Sequence, residues 1–116
     1  PVPNIQKYMD EADIVVLPSI KFESFGMILI EAMRQKKPVI CSDHGGMTEI
    51  VKNNINGLIF KNRDYQDLKR KLILLIHSKL KRNVLGNRGY IIFLKKFENK
   101  IFLEKYKKIC NGKKFF

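Results

Sequence analysis

The fold is decided by residues 14–42, which read IVVLPSIKFESFGMILIEAMRQKKPVICS. Two short apolar runs, Ile14–Leu17 and Pro38–Cys41, flank a longer segment, Phe25–Lys36, whose middle is apolar almost all round. Short runs that are apolar on both faces are typical of buried parallel strands, and the longer segment is typical of a crossover helix. The stretch therefore predicts a strand, a helix and a second strand, with residues 20–24 as a loop.

The alternation continues on both sides of this stretch. Apolar residues at helical spacing predict a helix over Asn4–Ala12, and Leu58–Phe60 reads as a third strand. Further helices are predicted at Met47–Lys52, behind an N-cap at Asp64, at Val84–Phe97 and at Glu98–Ile109. The helix behind Asp64 carries one apolar stripe: Leu68, Leu72, Leu75, Ile76 and Leu80. Alternating strands and helices imply an α/β, Rossmann-like parallel sheet with helices on both faces.

Length and composition limit the class of protein. With 116 residues the chain forms one domain, and its longest apolar runs are far shorter than the roughly 20 residues of a membrane span. It begins with Pro1 and no secretory leader follows, so we expect a piece of a longer chain or a truncated reading frame. Cys41 and Cys110 have no metal-ligand spacing, so free thiols in the cytoplasm and no metal are expected.

Charge is divided unevenly along the chain. Residues 1–60 hold six Lys+Arg and seven Asp+Glu, whereas residues 61–116 hold 17 and 4, a net charge of +13. A basic half can mark a surface for nucleic acid or anionic lipid, but an AT-rich genome also enriches lysine. Aromatic residues interleave with the lysines at Tyr90, Phe93, Phe97, Phe102 and Tyr106. A non-catalytic basic module is therefore one open interpretation.

Glu31 lies within the apolar helical segment, where an ionised carboxylate is costly unless another group pairs with it. One explanation is structural, because Arg34 and Gln35 follow three and four residues later, at helical contact spacing. The other is a ligand. Glu23 stands eight residues earlier, about 10 Å away, in the loop where ligands of open α/β sheets collect. Two carboxylates so placed fit a ligand with two hydroxyl-bearing ends.

Backbone amides between the two glutamates favour the ligand explanation. Ser24, Phe25, Gly26 and Met27 would present free N–H groups at a helix N-terminus, which binds anions or hydroxyl oxygens. Gly26 would also let a ligand approach the backbone closely. The sequence therefore predicts a ligand site at the beginning of this helix.

The ordered set of motifs resembles the donor-binding half of the family 4 glycosyltransferases, which are retaining enzymes of the GT-B fold. The motifs are two glutamates separated by seven residues, a Phe-Gly pair close behind the first, and a later Gly-Gly-x-x-Glu turn: Glu23, Phe25, Gly26, Glu31, Gly45, Gly46 and Glu49. The resemblance covers about Ile5 to Tyr65 and continues beyond only in pattern.

The resemblance implies a role for each position. Glu23 would be the catalytic residue, in contact with the donor sugar near the reacting centre, and Glu31 would receive the ribose hydroxyls of the nucleotide. The amides of residues 24–27 would hold sugar hydroxyls beside the diphosphate, and the Gly45-Gly46 turn with Glu49 would line the same cleft. The implied substrates are a nucleoside-diphosphate sugar and a carbohydrate or glycolipid acceptor, with no cofactor and no metal.

The resemblance also divides the chain. Residues 1–95 correspond to part of the donor-binding domain, and residues 96–116 to a C-terminal helix and basic tail that would pack on an N-terminal domain. That domain and the family's Arg/Lys pair for the diphosphate would precede Pro1, so the chain alone is expected to be inactive. We expect a cytoplasmic enzyme with peripheral contact at the inner face of an anionic membrane and without a specific nucleic-acid partner.

Overall fold

The computed structural model describes residues 5–18 and 22–97 of the chain. In this part, strands and helices alternate as predicted. The elements are α1 Ile5–Glu11, β1 Val15–Leu17, α2 Phe22–Arg34, β2 Val39–Ser42, a 3₁₀ helix Met47–Glu49, β3 Leu58–Phe60, α3 Tyr65–Ile76 and α4 Lys79–Phe97.

The three strands form one parallel sheet in the order β1-β2-β3. Val39 of β2 pairs with Val15 of β1, and Ile40 pairs with Leu58 of β3. Parallel neighbours need a crossover connection, which α2 supplies between β1 and β2. The predicted α/β class with a parallel sheet is confirmed.

Both faces of the sheet are covered. Side chains of a strand point alternately to its two faces. Val39 and Cys41 of β2 pack in one hydrophobic cluster with Leu29 and Met33 of α2. Ile40 packs in a second cluster, whose members include Leu75 and Leu85 of the last two helices. Every residue of β2 is therefore buried, as expected for a middle strand between two helical layers.

The first strand departs from its prediction. Val16 in the middle of β1 is 37% exposed, although the apolar run Ile14–Leu17 predicts burial on both faces. β1 has only β2 as a neighbour among the described strands, so it lies at the edge of the described sheet. Its inward residues, Val15 and Leu17, are buried in the cluster with α2.

Helix α4 connects the two layers. Its Leu85 belongs to the cluster on the α3 side, whereas Ile92 and Phe93 pack against the cluster on the α2 side. Between them, buried Gly86 lies directly against the chain that leaves α2. A Cβ atom built on Gly86 would stand 2.1 Å from the carbonyl oxygen of Lys36. Only glycine allows this approach of the two backbones.

Helix α2 begins and ends earlier than predicted. It begins at Phe22 rather than Phe25, which places Glu23 in its first turn and not in the preceding loop. It ends at Arg34 because Lys36 adopts a left-handed φ of 60°. The amides of residues 36 and 37 then donate to the carbonyls of Met33 and Ala32 at 3.1 and 2.8 Å, a Schellman motif.

Two further boundaries differ from the predictions. The helix predicted over Met47–Lys52 is only the 3₁₀ turn Met47–Glu49, because residues 50 and 51 both donate back to the Met47 carbonyl and the chain then leaves the turn. The predicted stripe from Leu68 to Leu80 is interrupted, since α3 ends at Ile76 with His77 as its C-cap. Leu80 therefore belongs to α4.

Two predictions about the C-terminal part of the chain are not tested by the structure. Helix α4 runs to Phe97, across the expected division between residues 95 and 96, and that division stays a prediction. The helix predicted at Glu98–Ile109 lies outside the described residues. Over residues 5–18 and 22–97, no helix has both the length and the apolar character to cross a membrane.

Candidate functional site

The three parallel strands end at the same edge of the sheet, where ligands of open α/β folds bind. The chain leaves this carboxyl edge at Pro18 after β1, through residues 43–46 after β2, and through residues 61–63 after β3. Of the predicted site residues, Gly45 and Gly46 lie in the connection after β2, and Glu49 lies in the 3₁₀ helix behind it. Residues 23–27 lie in the first two turns of α2, whereas Glu31 lies in its last turn.

The connections after β2 and β3 are tied together by side-chain hydrogen bonds. The backbone amide of Asn62 donates to Asp43 Oδ1 at 2.9 Å. Ser42 Oγ donates to the side-chain oxygen of the same residue, Asn62 Oδ1, at 3.3 Å. The His44 amide in turn donates to Ser42 Oγ at 3.1 Å. Sequence reasoning missed Asn62. The signal that could have identified Asn62 was its place in the run of turn-forming residues directly after the third strand.

The Gly-Gly turn is formed as the motif requires. Gly45 and Gly46 both adopt left-handed backbone conformations, with φ of 92° and 87°. Met47 behind them is fully buried and anchors the turn, whereas Glu49 is exposed. The turn thus stands fixed beside the carboxyl end of β2, and its contact with a ligand stays a prediction.

Glu23 and Glu31 lie on one continuous helix, α2. Eight residues of α-helix rise about 12 Å and turn about 80° around the axis, so the two positions lie on neighbouring sides. The side chains of Glu23, Ser24 and Phe25 are outside the described part of the structure. The prediction that both carboxylates face one cleft is therefore untested.

The start of α2 changes which amides are unpaired. A helix beginning at Phe22 leaves the amides of Phe22, Glu23 and Ser24 without intrahelical partners. Gly26 and Met27 lie in the second turn, and Gly26 is buried. Contacts of residues 24–27 with a ligand stay predictions.

Glu31 is fully buried, and both helical partners expected from the sequence hold it. Arg34 binds the carboxylate with two nitrogens, Nε to Oε2 at 2.9 Å and Nη2 to Oε1, and Gln35 Nε2 donates to Oε1 at 2.8 Å. The structural explanation for Glu31 is therefore confirmed. A contact with ribose would come in addition to these bonds and is untested.

A cleft of about 240 Å³ opens where β1 and β3 end, and sequence reasoning missed it. It is lined by Pro18, Phe60, Asn62, Arg63, Tyr65 and Leu68. Arg63 has a left-handed φ of 65° and is exposed, so its guanidinium is accessible to an anionic group. The cleft combines one cation with an apolar floor.

Two groups near this edge have shifted pKa values. Burial, and then the charge of Asp43, raise the pKa of the Cys41 thiol to about 12. Cys41 is thus a neutral, buried free thiol at physiological pH rather than a nucleophile. The pKa of Asp67 is lowered, chiefly because the Lys61 amide donates to its carboxylate at 2.8 Å. Asp67 fastens the first turn of α3 to the connection after β3.

Among the described residues, no three or more His, Cys, Asp or Glu side chains come together as a metal site would require. What the described part offers instead is a parallel sheet with a glutamate-bearing helix behind its first strand and a fixed glycine turn behind its second. This is the α/β, Rossmann-like arrangement that the sequence predicts for the C-terminal half of a GT-B glycosyltransferase.

The chain belongs to the glycosyl transferases group 1 family, which it matches over residues 1–91. It is 37% identical over 101 residues to an uncharacterized glycosyltransferase of Methanocaldococcus jannaschii. That match includes 87% of this chain and 27% of the relative. The chain therefore spans about a quarter of the length of this curated relative.

Solved structures agree with the family. The C-terminal domain of a group 1 family glycosyl transferase, LpcC from Francisella tularensis, superimposes with a TM-score of 0.71 at 32% identity, covering 80% of this chain and 47% of that one. The HepE protein of Anabaena, solved in complex with UDP-glucose, gives a TM-score of 0.76 at 24% identity. That match covers 93% of this chain and 30% of HepE, and it shows the shared fold.

Proposed function

We propose that this chain is the donor-binding part of a retaining family 4 glycosyltransferase. The whole enzyme would transfer a sugar from a nucleoside-diphosphate sugar to an acceptor hydroxyl on a carbohydrate or glycolipid, keeping the anomeric configuration. The observation that carries the proposal is the group 1 family match over residues 1–91, with Glu23 and Glu31 on a single helix, α2. HepE, solved with UDP-glucose, supports a nucleotide sugar as the donor.

The beginning of α2 suits a diphosphate. Unpaired amides and the positive end of the helix dipole attract negative charge at Phe22, Glu23 and Ser24. Charge accumulates on the leaving diphosphate as the glycosidic bond breaks, so these fixed dipoles stabilise the transition state. We propose that they act with an upstream Arg/Lys pair, without metal or cofactor.

The two glutamates would then serve different parts of the donor. Glu23, in the first turn of α2, would lie nearest the reacting sugar, and Glu31, about 12 Å further along the axis, would accept hydrogen bonds from the ribose hydroxyls. Arg34 and Gln35 hold the Glu31 carboxylate, which keeps it oriented before the nucleotide arrives. Gly45, Gly46 and Glu49 would line the cleft, with no catalytic role for Glu49.

The experiment compares Glu23→Ala with Glu31→Ala in the full-length enzyme. Contacts with the reacting sugar strengthen in the transition state, so Glu23→Ala should lower kcat by about 100-fold. Ribose contacts are made equally in ground and transition states, so Glu31→Ala should raise the donor KM by about tenfold at nearly constant kcat. Glu11→Ala, an exposed glutamate on α1, is the matched control and should change neither constant. Equal kinetic effects of the two site variants would refute the division of roles.

The chain by itself is proposed to bind donor without transferring sugar, because the acceptor site would belong to an N-terminal domain. Residues 96–116 would pack on that domain. Titration of the full chain with UDP tests the first part, and an assay for sugar transfer tests the second. Transfer by the chain alone would refute this proposal.

A non-catalytic nucleic-acid module is the less favoured alternative. Tyr90 stacks on Phe93 with ring centroids 6.3 Å apart, and Lys36 Nζ lies 4.9 Å from the Tyr90 ring centre. These aromatic rings are occupied within the fold, whereas single-stranded nucleic acid needs accessible ones. Binding to an oligonucleotide with a steep salt dependence, in the absence of donor binding, would reverse this preference.

We propose a cytoplasmic location with peripheral contact at the inner face of an anionic membrane. The support is the net charge of +13 on residues 61–116. Co-sedimentation of the full chain with anionic vesicles, but not with neutral ones, tests it.

A further inference from the structure

An exposed apolar ridge stands where α3 turns into α4. Ile73, Leu74, Ile76 and Leu80 are large apolar residues on this elbow, and all four are exposed, Leu80 by 74%. They lie beyond the amino ends of the strands, because α3 begins at the carboxyl edge and runs back along the sheet. The ridge is thus far from the donor site, and the proposed transfer chemistry gives it no role.

Hydrogen bonds hold the elbow together, so its apolar side chains are not exposed merely because a helix end frays. Arg82 Nη1 donates to the carbonyls of Leu75 and Ile76 at 2.6 and 3.0 Å, which satisfies the last turn of α3. Ser78 Oγ accepts from the Lys81 amide at 3.0 Å and caps α4. Leu75 is fully buried beneath. The ridge residues point outward on a fixed frame.

Positive charge surrounds the ridge. Residues 68–97 contain no Asp or Glu and nine basic residues: Lys69, Arg70, Lys71, Lys79, Lys81, Arg82, Arg88, Lys95 and Lys96. Two of these, Lys79 and Lys81, stand on either side of Leu80. Asp67 pairs with Arg70 and Lys71 at the far end of α3. Apolar side chains within a basic border match an anionic bilayer.

A small polar cavity adjoins the elbow. It has a volume of about 180 Å³, and its lining includes Lys36, Lys37 and Lys79, with Asp13 as the acidic member. Lys79 thus belongs both to the cavity and to the elbow. Three lysines and Arg82 against one carboxylate give the cavity a net positive charge that suits a phosphate group.

We propose that the α3–α4 elbow is a docking surface for an anionic phospholipid bilayer. The ridge residues enter the headgroup boundary, and Lys79 and Lys81 contact lipid phosphates. The proposal names the surface for the membrane contact stated above, and it does not depend on glycosyl transfer.

Two other occupants fit the surface less well. The exposed ridge residues are aliphatic, and nucleic acid would find no aromatic face among them on which to stack bases. A second copy of the chain would bring another uniformly basic strip against this one, and like charges repel. A bilayer of anionic lipid accepts both the apolar side chains and the charge.

The test is co-sedimentation of the full chain with vesicles of equal parts phosphatidylcholine and phosphatidylglycerol, without donor. The variant Ile73→Ser/Ile76→Ser/Leu80→Ser should lower the partition coefficient by about tenfold or more. Its control is Ile55→Ser/Ile91→Ser, which removes two apolar residues elsewhere that are about as exposed as Ile73 and Ile76. The control should change the partition coefficient less than about twofold.

A charge series provides a second, independent variant. Lys79→Glu/Lys81→Glu should weaken binding far more than Lys95→Glu/Lys96→Glu, although both pairs change the net charge equally. Circular dichroism checks that each variant is folded, and because the two series change different residues, either one tests the proposal if the other misfolds.

Three results of the vesicle experiments would overturn the proposal, and a fourth would come from a competition with an oligonucleotide. They are equal losses in the elbow and control variants, equal binding to vesicles of phosphatidylcholine alone, and vesicle-free self-association that the serine variant abolishes. Preference of the elbow for an oligonucleotide over vesicles would also overturn it. UDP titration without vesicles measures donor binding separately. A failure of vesicle binding can therefore be told apart from a failure of the proposed donor site.

Discussion

The two edges of the sheet are built by opposite means. At the carboxyl edge, polar side chains bind the connections to one another through Ser42, Asp43 and Asn62, and two left-handed glycines shape the turn between them. At the amino edge, the backbone of α4 at Gly86 lies directly against the chain that leaves α2 at Lys36. The connections at the carboxyl edge are thus held by polar side chains, whereas the amino edge is held at this point by a contact between backbones.

This difference indicates where the chain can tolerate change. Connections held by side-chain hydrogen bonds tolerate substitution at a modest cost in stability, since such bonds contribute about 1 kcal/mol each. A close contact between two backbones, in contrast, leaves no room for an added side-chain atom. We therefore expect substitutions at the amino edge to cost more stability than substitutions at the carboxyl edge.

The largest effect is expected for Gly86→Ala. Its Cβ would stand 2.1 Å from the Lys36 carbonyl oxygen, so α4 must move away from α2, and we expect a loss of about 3 kcal/mol in the free energy of unfolding. Gly89→Ala in the same helix is the control, because its Cβ would meet Met33 Cγ at an ordinary 3.7 Å. That control should gain up to about 1 kcal/mol from helix propensity. Urea denaturation measures both, and equal losses would contradict the close contact.

Arg34→Ala should come next, with a loss of about 2 kcal/mol. It removes the bidentate partner of the fully buried Glu31 carboxylate. Arg88→Ala is the matched surface change, since Arg88 makes one exposed bond of 3.4 Å to the Asn54 carbonyl and should cost less than about 0.5 kcal/mol. Thermal unfolding of the two variants provides the comparison. A loss no larger than that of Arg88→Ala would show that Glu31 does not need its guanidinium.

The Cys41 thiol gives a pH-dependent effect near the carboxyl end of β2. Its pKa is about 12 in the fold against an ordinary value of 9.0, so between these pH values the unfolded chain has lost a proton that the folded chain keeps. Stability must then fall with rising pH, by up to about 1.4 kcal/mol per unit. Urea denaturation at pH 8, 9 and 10 should show this fall relative to Cys41→Ala. Parallel curves for the two proteins would contradict the raised pKa.

The smallest effect is expected at Asp64, the N-cap of α3 at the carboxyl edge. Its side chain accepts from the Asp67 amide at 3.0 Å, so Asp64→Ala should cost about 1 kcal/mol. Asp64→Asn keeps an acceptor at the same place and should cost only a few tenths of that amount. If Asp64→Ala were as damaging as Gly86→Ala, the two edges would not differ as proposed.

Much of the fold could be predicted because its signals are local. The apolar runs at Ile14–Leu17 and Pro38–Cys41 identify strands, and Asp64 identifies the start of α3. The partners of Glu31 were also readable, since helical spacing alone brings Arg34 and Gln35 to its carboxylate. In each case the deciding neighbours are within a few residues.

The differences arise where distant parts of the chain decide. Nothing near Gly86 in sequence reveals that Lys36 lies against it, and the exposure of Val16 follows from its place at the edge of the described sheet. The break after Ile76 depends on Arg82, which satisfies the carbonyls of the helix before it. Of the candidate site, the Gly45-Gly46 turn was predictable from its residues, whereas the cleft beside Arg63 requires β1 and β3 to end together.

The length of α3 has a consequence for how charged molecules would reach the enzyme. Its 12 residues extend about 18 Å, from the carboxyl edge to the elbow. The electrostatic potential of an anionic bilayer decays over about 8 Å at physiological ionic strength. With the elbow seated on the bilayer, the donor edge would stand more than two screening lengths above it. The proposed donor, a doubly charged nucleotide sugar, could then diffuse to this edge from bulk solvent almost without repulsion from the lipid.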